Sequence, residues 1–553
     1  MEPISRRLFL AGAAAVLVGA CSGDDDAGGP AESPATTPGS GGPTAASTTS
    51  APADPAVPST SGVESTTTAP AIELPSDPFT LGVASGDPSE RSMVLWTRLA
   101  PEPLTTGGGM PVDDIAVDWE VALDPDFHDV RWRGSTTAVA AQAHSVHVRA
   151  DVEPGGPYHY RFRAGGWTSP TGITRTMPSS TTAPESVRFV SASCQNYQDG
   201  FYTAWADVAD REPDFVAFLG DYIYEGGAAD VGTDGVVRTH GTPACRTLDD
   251  FRNRYALYKS DPDLQAAHHT APWYVTWDDH EVANNYAGAG TDDDTFLQRR
   301  RDAYRAWWEH QPVDLPPPPD DPAADYPVYR AMRWGSLLSM AVLDGRQYRT
   351  QQACGGGTLN LDPACPETFA ADRTMIGSAQ EEWLFEQLVA TPPSTWHIIA
   401  QQTVFGDVTL GDAVLNYDQW DGYPAQRNRI VDRLAAEAIG NVVVLTGDIH
   451  FAATGIIRAG GRGIGTPVGV EMVATSISSG GRVNPAVTEL VRSIPDIVDV
   501  ELEHRGYILH TVTPERWRAE YRMVETVKQP GAPVFVHATY QVDAGTNIVS
   551  IVP

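Results

Sequence analysis

Lysine is nearly absent from this 553-residue chain, in which only Lys259 and Lys528 occur and arginine supplies the remaining positive charge. Positive side chains are few overall, with 38 Lys and Arg against 71 Asp and Glu and a formal net charge of -33. A surface of this sign repels phosphate backbones, which excludes general affinity for nucleic acid or an anionic membrane. An anionic ligand would meet this repulsive field, which local cations must overcome, and metal ions do so most simply.

Cysteine is also scarce, and its five occurrences stand in different contexts. Cys354 and Cys365 lie in a loop rich in Gly and Pro, where a short-loop disulfide is expected if the protein is exported. Cys194 directly follows an apolar run, and Cys245 is left over. If Cys194 instead pairs with Cys245, it cannot serve as a metal ligand.

The N-terminus is typical of an export signal. Arg6 and Arg7 precede a short apolar run that ends at Cys21. This arrangement resembles a Tat signal, and the run is too short to span a bilayer comfortably. Residues 18–21, Val-Gly-Ala-Cys, resemble a lipobox, so residues 1–20 would be removed and Cys21 lipidated; the alternative is an ordinary signal with Cys21 lost or inert. We expect the protein in the cell envelope, anchored on the outer face of the cytoplasmic membrane, or secreted.

The rest of the chain divides into three segments by composition, in keeping with its length. Residues 21–76 are mostly Ser, Thr, Pro, Gly and Ala, which predicts a disordered tether because little apolar surface can be buried. Residues 77–180 contain alternating runs between Pro and Gly turns, typical of a small antiparallel β-sandwich. Residues 185–553 alternate strand and helix patterns, which predicts an α/β catalytic domain with helix-covered sheets.

Potential ligand side chains follow the apolar runs of this last segment. Runs of this length, rich in Val, Phe and Leu, are typical of strands buried on both faces. The side chains at their ends are Cys194, Asp221 and Tyr224, Asp278 and Asp279, Arg346, and Asp448 and His450. Ligands of open α/β sheets bind beyond the carboxyl ends of the strands. Asp commonly caps helices and turns, but five such endings in one domain indicate a metalloenzyme.

The spacing of these residues resembles a known family. Residues 220–224 match the G-D-x-x-Y block of metallophosphoesterases related to purple acid phosphatases. Residues 279–281, D-H-E, resemble their N-H-D/E block, and residues 447–450, G-D-I-H, resemble their G-H-x-H block. Cys194 stands where that superfamily usually has its first Asp. Together with W-D-D-H-E and D-x-R-x-Y-R, these substitutions resemble the PhoD-type alkaline phosphatases and phosphodiesterases, over roughly residues 79–527.

The resemblance implies an αββα metallophosphoesterase sandwich that holds a ferric ion with calcium ions beside it. Thiolate and phenolate donors suit ferric iron, whereas carboxylate and amide oxygens suit calcium. The implied iron ligands are Cys194, Asp221, Tyr224 and His450, with Asp221 bridging to calcium. The implied calcium ligands are Asp279, Asp448 and Asn285, with Asp278 as a further candidate.

Three assignments leave alternatives open. Adjacent side chains on a strand point apart, so Asp278 and Asp279 could serve different ions, or one of them could support the site without binding an ion. Arg346 would bind phosphate through two parallel hydrogen bonds, unless it forms a salt bridge with Asp344. His280 would protonate the leaving oxygen or merely orient a ligand carboxylate.

We therefore expect a secreted phosphatase that hydrolyses phosphomonoesters, phosphodiesters or both by metal-assisted attack and releases phosphate. A rival with the same chemistry is a phospholipase D-like phosphodiesterase acting on lipid head groups. A more distant alternative is a non-catalytic, calcium-dependent surface binding protein, which needs neither a thiolate nor a phenolate at its strand ends. The expected partner is a phosphate ester, and membrane contact is expected only through the N-terminal lipid. The sequence leaves the oligomeric state open, with a monomer favoured.

Overall fold

The computed structural model describes residues 72–228, 235–290, 294–357, 360, 362–481 and 491–553. The predicted export signal, Cys21 and the tether as far as residue 71 lie outside these residues. Among the described residues, no helix combines the length and the hydropathy needed to cross a membrane.

The described residues form six α-helices and twenty-two strands. The helices are α1 Thr203–Arg211, α2 Leu248–Lys259, α3 Pro262–Thr270, α4 Asp294–His310, α5 Gly377–Leu388 and α6 Pro424–Ala436. The strands are β1 Val83–Gly86, β2 Ser92–Arg98, β3 Ile115–Ala122, β4 Val130–Ala138, β5 Ser145–Asp151, β6 Tyr158–Ala164, β7 Trp167–Thr168, β8 Gly172–Thr174, β9 Val187–Ala192, β10 Phe215–Phe218, β11 Trp273–Val275, β12 Arg330–Trp334, β13 Leu338–Val342, β14 Trp396–Ala400, β15 Val442–Thr446, β16 Ala452–Ala459, β17 Thr466–Val473, β18 Ile497–Glu501, β19 Arg505–Val512, β20 Arg516–Val524, β21 Val534–Asp543 and β22 Val549–Val552.

Two large sheets form the core of the α/β part of the chain. The ten-stranded sheet has the order β22-β21-β20-β19-β9-β10-β11-β1-β2-β5, and the seven-stranded sheet has the order β12-β13-β14-β15-β17-β16-β18. They pack face to face through side chains such as Phe189 and Phe215 from the first and Met340 and Ile398 from the second. Helices α1 to α4 cover the outer face of the first sheet, and α5 and α6 cover that of the second. This confirms the expected αββα sandwich.

A five-stranded sheet completes the N-terminal sandwich. It has the order β4-β3-β6-β7, with β8 paired to β6. It packs against β1, β2 and β5 through apolar side chains that include Val117, Tyr160, Leu95 and Val146. Strand β1 also pairs in parallel with β11, so one sheet of the sandwich continues into the ten-stranded sheet. The sequence indicated the β-sandwich but not this shared sheet.

The sheet directions place the predicted ligands at one edge of the molecule. Strands β9, β10 and β11 are mutually parallel, as are β13, β14, β15 and β17. Their interiors are almost fully buried because each sheet is covered on both faces. The loops at their carboxyl ends therefore meet between the two sheets, where parallel α/β sheets bind their ligands.

Candidate metal centre

Three overlapping groups of ligand-type side chains lie at this edge. Within each group, one candidate ligand atom per residue lies within 4.8 Å of the others. The groups are Cys194, Asp221 and His450 (the thiol cluster); Asp221, Asp279 and His280 (the middle cluster); and Asp278, Asp279 and Asp448 (the carboxylate cluster). Since Asp221 is shared by the first two and Asp279 by the last two, the clusters form one continuous row.

Tyr224 extends the thiol cluster. Its hydroxyl donates to Asp221 Oδ2 (3.0 Å), accepts from the Ser479 hydroxyl (2.9 Å) and lies 2.9 Å from His450 Nε2. His450 Nδ1 lies 2.8 Å from Gly480 O, an acceptor only, so Nδ1 carries the proton. His450 Nε2 therefore offers its lone pair to the cluster, as a metal-binding imidazole must.

The backbone is constrained where four of these side chains leave it. Positive φ angles occur at Cys194 (58°), Asp221 (58°), Asp448 (65°) and His450 (57°). Such conformations are uncommon for residues other than glycine and cost on the order of 1–3 kcal/mol each. Four of them around one site indicate that the fold directs these side chains inward at the expense of stability.

Position 220 requires a glycine because the loop after β10 approaches Asp278 closely. Its φ is +111°, and a Cβ there would lie 2.6 Å from Asp278 Cβ and 2.7 Å from Asp278 N.

Gly220→Ala is expected to lower the free energy of unfolding by more than about 2 kcal/mol, because backbone strain and the collision with Asp278 add. Gly531→Ala is the matched control, since Gly531 has φ +67° and open space around it. Denaturant unfolding checks this; equal losses for the two variants would contradict a collision at Gly220.

Arg346 lies beneath the carboxylate cluster, and its side chain is fully buried. Its Nε is 2.5 Å from Asp278 Oδ1, and its Nη1 is 2.8 Å from Asp418 Oδ2. Its Nη2 is 3.4 Å from Asp448 Oδ1 and 3.6 Å from Asp279 Oδ1. One guanidinium is thus surrounded by four carboxylates.

These contacts bear on both interpretations of Arg346, phosphate binding and a salt bridge with Asp344. Asp344 Oδ1 accepts the backbone N–H of Arg346 at 2.9 Å, and the guanidinium pairs with other carboxylates, so the alternative salt bridge with Asp344 is wrong. Hydrogen bonds to Asp278, Asp418 and Asp448 use three of the five N–H groups of the guanidinium, so a phosphate group would bind through the remaining two or displace a carboxylate. The substrate-binding role of Arg346 stays a prediction.

The carboxylate cluster suits cations because negative charge exceeds positive charge inside it. Among the described residues, Asp278 Oδ2 and Asp279 Oδ1 are buried and receive no hydrogen bond. Burial raises the pKa of Asp278 well above its usual value, and it raises that of Asp448 to about 7, despite the lowering effect of Arg346. Burial also raises the pKa of Asp279, but Arg346 and His280 outweigh it and hold the pKa below its usual value. Calcium, which prefers carboxylate oxygens, fits this donor set.

The thiol cluster fits a different ion. Burial raises the pKa of Cys194 and that of Tyr224 well above their usual values, and the Asp221 carboxylate raises both further. Both groups are therefore neutral in the protein alone, and a bound cation would favour their anionic forms. A thiolate, a phenolate and an imidazole together suit a transition metal better than calcium.

Asp278 and Asp279 do not alternate as residues of a strand would. Strand β11 ends at Val275, so both aspartates lie in the following loop and both join the carboxylate cluster. Glu281 holds this loop to the previous one, since its carboxylate accepts the backbone N–H groups of Asp221 (3.1 Å) and Asp278 (2.9 Å). The expectation that their side chains point apart is wrong because the chain has left the sheet.

Asn285 lies beside the carboxylate cluster, but its observed contact is through the backbone. Its N–H donates to Asp279 Oδ2 at 2.5 Å. The proposed role of its side-chain oxygen as a calcium ligand stays a prediction.

His280 is held at the mouth of the centre by Glu225 and Tyr224. Its Nδ1 is 2.7 Å from Glu225 Oε2, and its ring stacks on Tyr224 with centroids 4.1 Å apart. Burial lowers the pKa of His280, but Glu225, Asp279 and Asp221 outweigh it and hold the pKa well above its usual value. In the metal-free protein these carboxylates favour the protonated imidazole, whose Nδ1 is taken by Glu225.

Sequence reasoning missed four residues that complete the site. Asp418 pairs with Arg346 and Arg349, Gln419 Nε2 donates to Asp448 Oδ2 (2.6 Å), and Glu225 and Ser479 support His280 and Tyr224. Asp418 and Gln419 lie in the long loop between β14 and α6 and do not directly follow a strand, so no strand-end signal marked them. Glu225, one turn beyond Asp221 in the G-D-Y-I-Y-E stretch, could have been found by its spacing.

The cysteines separate into a bonded pair and two free thiols. Cys354 and Cys365 form a disulfide, with an S–S distance of 1.99 Å. Cys194 and Cys245 are both free and buried. The alternative pairing that would remove Cys194 from the metal centre is therefore absent from the structure.

Comparison with known proteins agrees with this geometry. The family described as PhoD-like phosphatase matches residues 189–521, and the PhoD-like phosphatase N-terminal domain matches residues 65–178. Alkaline phosphatase D of Bacillus subtilis (strain 168) is 43% identical over 476 residues, which cover 84% of this chain and 80% of that protein. A solved structure described as "Structure of PhoD" is 42% identical, covers 87% of this chain and 94% of its own, and has a TM-score of 0.83. The chain belongs to the PhoD-like phosphatase family.

Proposed function

We propose that the chain is an exported phosphatase that hydrolyses phosphomonoesters, phosphodiesters or both at a ferric iron and calcium centre. Membership of the PhoD-like phosphatase family makes the chain a phosphoric ester hydrolase. The observation that carries the metal assignment is the continuous row of clusters, with a thiol and a phenol at one end and carboxylates at the other.

The clusters suggest which residues would hold each ion. Iron would be held by Cys194, Asp221, Tyr224 and His450, and calcium by Asp278, Asp279, Asp448 and Asn285. When bound, these ions supply the positive charge that neutralises phosphoryl oxygens and favours attack on phosphorus. Asp221 and Asp279, each shared by two clusters, would fix the spacing between neighbouring ions.

His280 is proposed to protonate the leaving oxygen. Glu225 occupies Nδ1 and fixes the ring, so the transferable proton is on Nε2. Arg346 keeps the carboxylates in place from below and neutralises part of their charge. It remains our candidate for a direct phosphate contact, as the family resemblance implies.

His280→Gln is expected to slow hydrolysis of alkyl phosphates by about 10²- to 10⁴-fold, the usual contribution of a general acid. The loss should be much smaller for p-nitrophenyl phosphate, because p-nitrophenolate leaves readily without a proton. Measuring kcat/KM for both esters checks this. An equal loss for both would show that His280 only orients a ligand carboxylate.

A substrate panel tests the function itself. We expect turnover of p-nitrophenyl phosphate, bis-p-nitrophenyl phosphate or both, its loss after a calcium chelator is added, and its recovery when calcium is restored. Preference for phosphatidylcholine would favour the phospholipase D-like alternative. Calcium binding without turnover of any ester would favour the surface binding protein. Activity unchanged by the chelator would overturn the calcium assignment.

The export route is supported by the sequence alone. Arg6 and Arg7 before a short apolar run favour Tat export, and residues 18–21 favour a lipid on Cys21. A lipid anchor would place the enzyme at the cytoplasmic membrane's outer face, where it meets extracellular phosphate esters.

A further inference from the structure

Gln352 joins two parts of the metal centre through one amide group. Its Nε2 donates to Asp418 Oδ1 (2.7 Å) and to the backbone oxygen of Asn285 (2.8 Å). The N–H of Asn285 in turn donates to Asp279 Oδ2, while Asp418 pairs with Arg346. Both N–H bonds of this amide are thus used, one on each side of the carboxylate cluster.

The neighbouring residue strengthens the same connection. Gln351 Nε2 donates to the backbone oxygens of Ala287 (3.1 Å) and Gly290 (2.9 Å), and Arg373 Nη2 donates to Gln351 O (2.7 Å). The segment that carries Gln351 and Gln352 therefore holds the loop after Asp279 at several points.

The disulfide fixes this segment two residues beyond Gln352. Cys354 has a φ of 58° and is bonded to Cys365. Both cysteines pack on a small apolar cluster of Ala353, Val414 and Tyr417. Since Tyr417 directly precedes Asp418, the disulfide ties the Gln352 segment to the stretch that carries its carboxylate partner.

We propose that Gln352 is a positioning residue for the carboxylate cluster and that the Cys354–Cys365 disulfide keeps it in place. This inference rests on the proposed role of that cluster in holding calcium. Gln352 would act through Asn285 and Asp418, the two residues to which its amide donates. Loss of such an outer hydrogen-bond partner typically weakens metal binding by about 10- to 100-fold.

Gln352→Met tests the proposal, because it keeps the side-chain length and removes both donors. Calcium binding to the full iron-containing protein, measured by titration calorimetry, is expected to weaken by at least about tenfold. The visible absorption of the iron site is expected to stay unchanged. Val121→Ala is the control for lost stability alone, since Val121 is fully buried in the N-terminal sandwich; it should lower the Tm without changing calcium affinity.

The double variant Cys354→Ser/Cys365→Ser separates the two parts of the proposal. It is also expected to weaken calcium binding. When Gln352→Met is added to it, the fold-loss of calcium affinity should be smaller than the product of the two separate fold-losses. Calcium affinity within twofold of wild type in Gln352→Met would overturn the positioning role. An effect of the double variant on Tm only would overturn the role of the disulfide. If the wild-type protein itself binds no calcium, both this inference and the calcium part of the proposed function fail.

Discussion

Asp221→Asn is expected to reduce phosphatase turnover by more than about 10³-fold and to lower the content of both iron and calcium. Asp221 is the carboxylate shared by the thiol and middle clusters, and Tyr224 donates to it. Its amide replacement keeps the volume but loses the negative charge and one acceptor oxygen. Loss of an outer hydrogen-bond partner costs about 10- to 100-fold, and loss of a shared ligand should cost more.

Asp261→Asn is the matched control for this prediction. Asp261 is also a buried carboxylate, but it caps α3 and lies outside the three clusters. Elemental analysis and kcat/KM of the two variants provide the test. An Asp221→Asn protein that keeps both metals and more than a tenth of its activity would rule out a bridging role.

Arg346→Met should lower the free energy of unfolding of the metal-free protein by about 3–5 kcal/mol, the usual cost of removing one partner of a buried ion pair. Four carboxylates surround the guanidinium, and among the described residues no other arginine or lysine makes an ion pair with Asp278, Asp279 or Asp448. Saturating calcium should restore part of the loss, because an ion that binds only the folded state stabilises it. Denaturant unfolding with and without calcium measures both effects.

Arg161→Met provides the comparison for an ordinary ion pair. Arg161 pairs with Glu120 at 2.8 Å on the partly exposed face of the N-terminal sandwich. Its loss should cost no more than about 1 kcal/mol. If the two substitutions have equal effects, Arg346 does not neutralise the carboxylate cluster.

The elements that the sequence predicted well are those with an unambiguous local pattern. Strands β9, β10, β13 and β15 are buried on both faces, so each reads as a short apolar run that ends at a polar residue. That pattern located the thiol, carboxylate and imidazole residues without any three-dimensional information. The proposal that the ions are iron and calcium rests on the family resemblance and on donor chemistry, not on the spacing.

Other features left no local pattern. The pairing of Gly86 with Trp273 joins residues far apart in the chain, so the shared sheet could not be inferred from periodicity. Strand β21 is only partly buried, which weakens its apolar signal. Helix α3 is short, although Asp261 at its N-cap and Pro262 at its first position are recognisable start signals.

Site residues in loops were missed for a related reason. Asp418 reaches the centre because Arg346, Arg349 and Gln352 all donate to it, and those contacts exist only in the folded chain. Gln402, which follows β14, accepts a hydrogen bond from the N–H of Gly345 and donates one to the backbone oxygen of Leu343. It thereby joins the loops that follow β13 and β14, again through contacts that exist only in the folded chain.

The visible absorption spectrum of the purified protein, measured together with its iron content, is the decisive test of iron binding by Cys194 and Tyr224. We expect stoichiometric iron and a charge-transfer band that is lost or strongly shifted in Cys194→Ser and in Tyr224→Phe, and we expect both variants to lose activity. Both side chains are buried at the same cluster, so both variants should change the band. A colourless, iron-free wild-type protein with full activity, or a Cys194→Ser variant that keeps its iron and its activity, would contradict this iron binding.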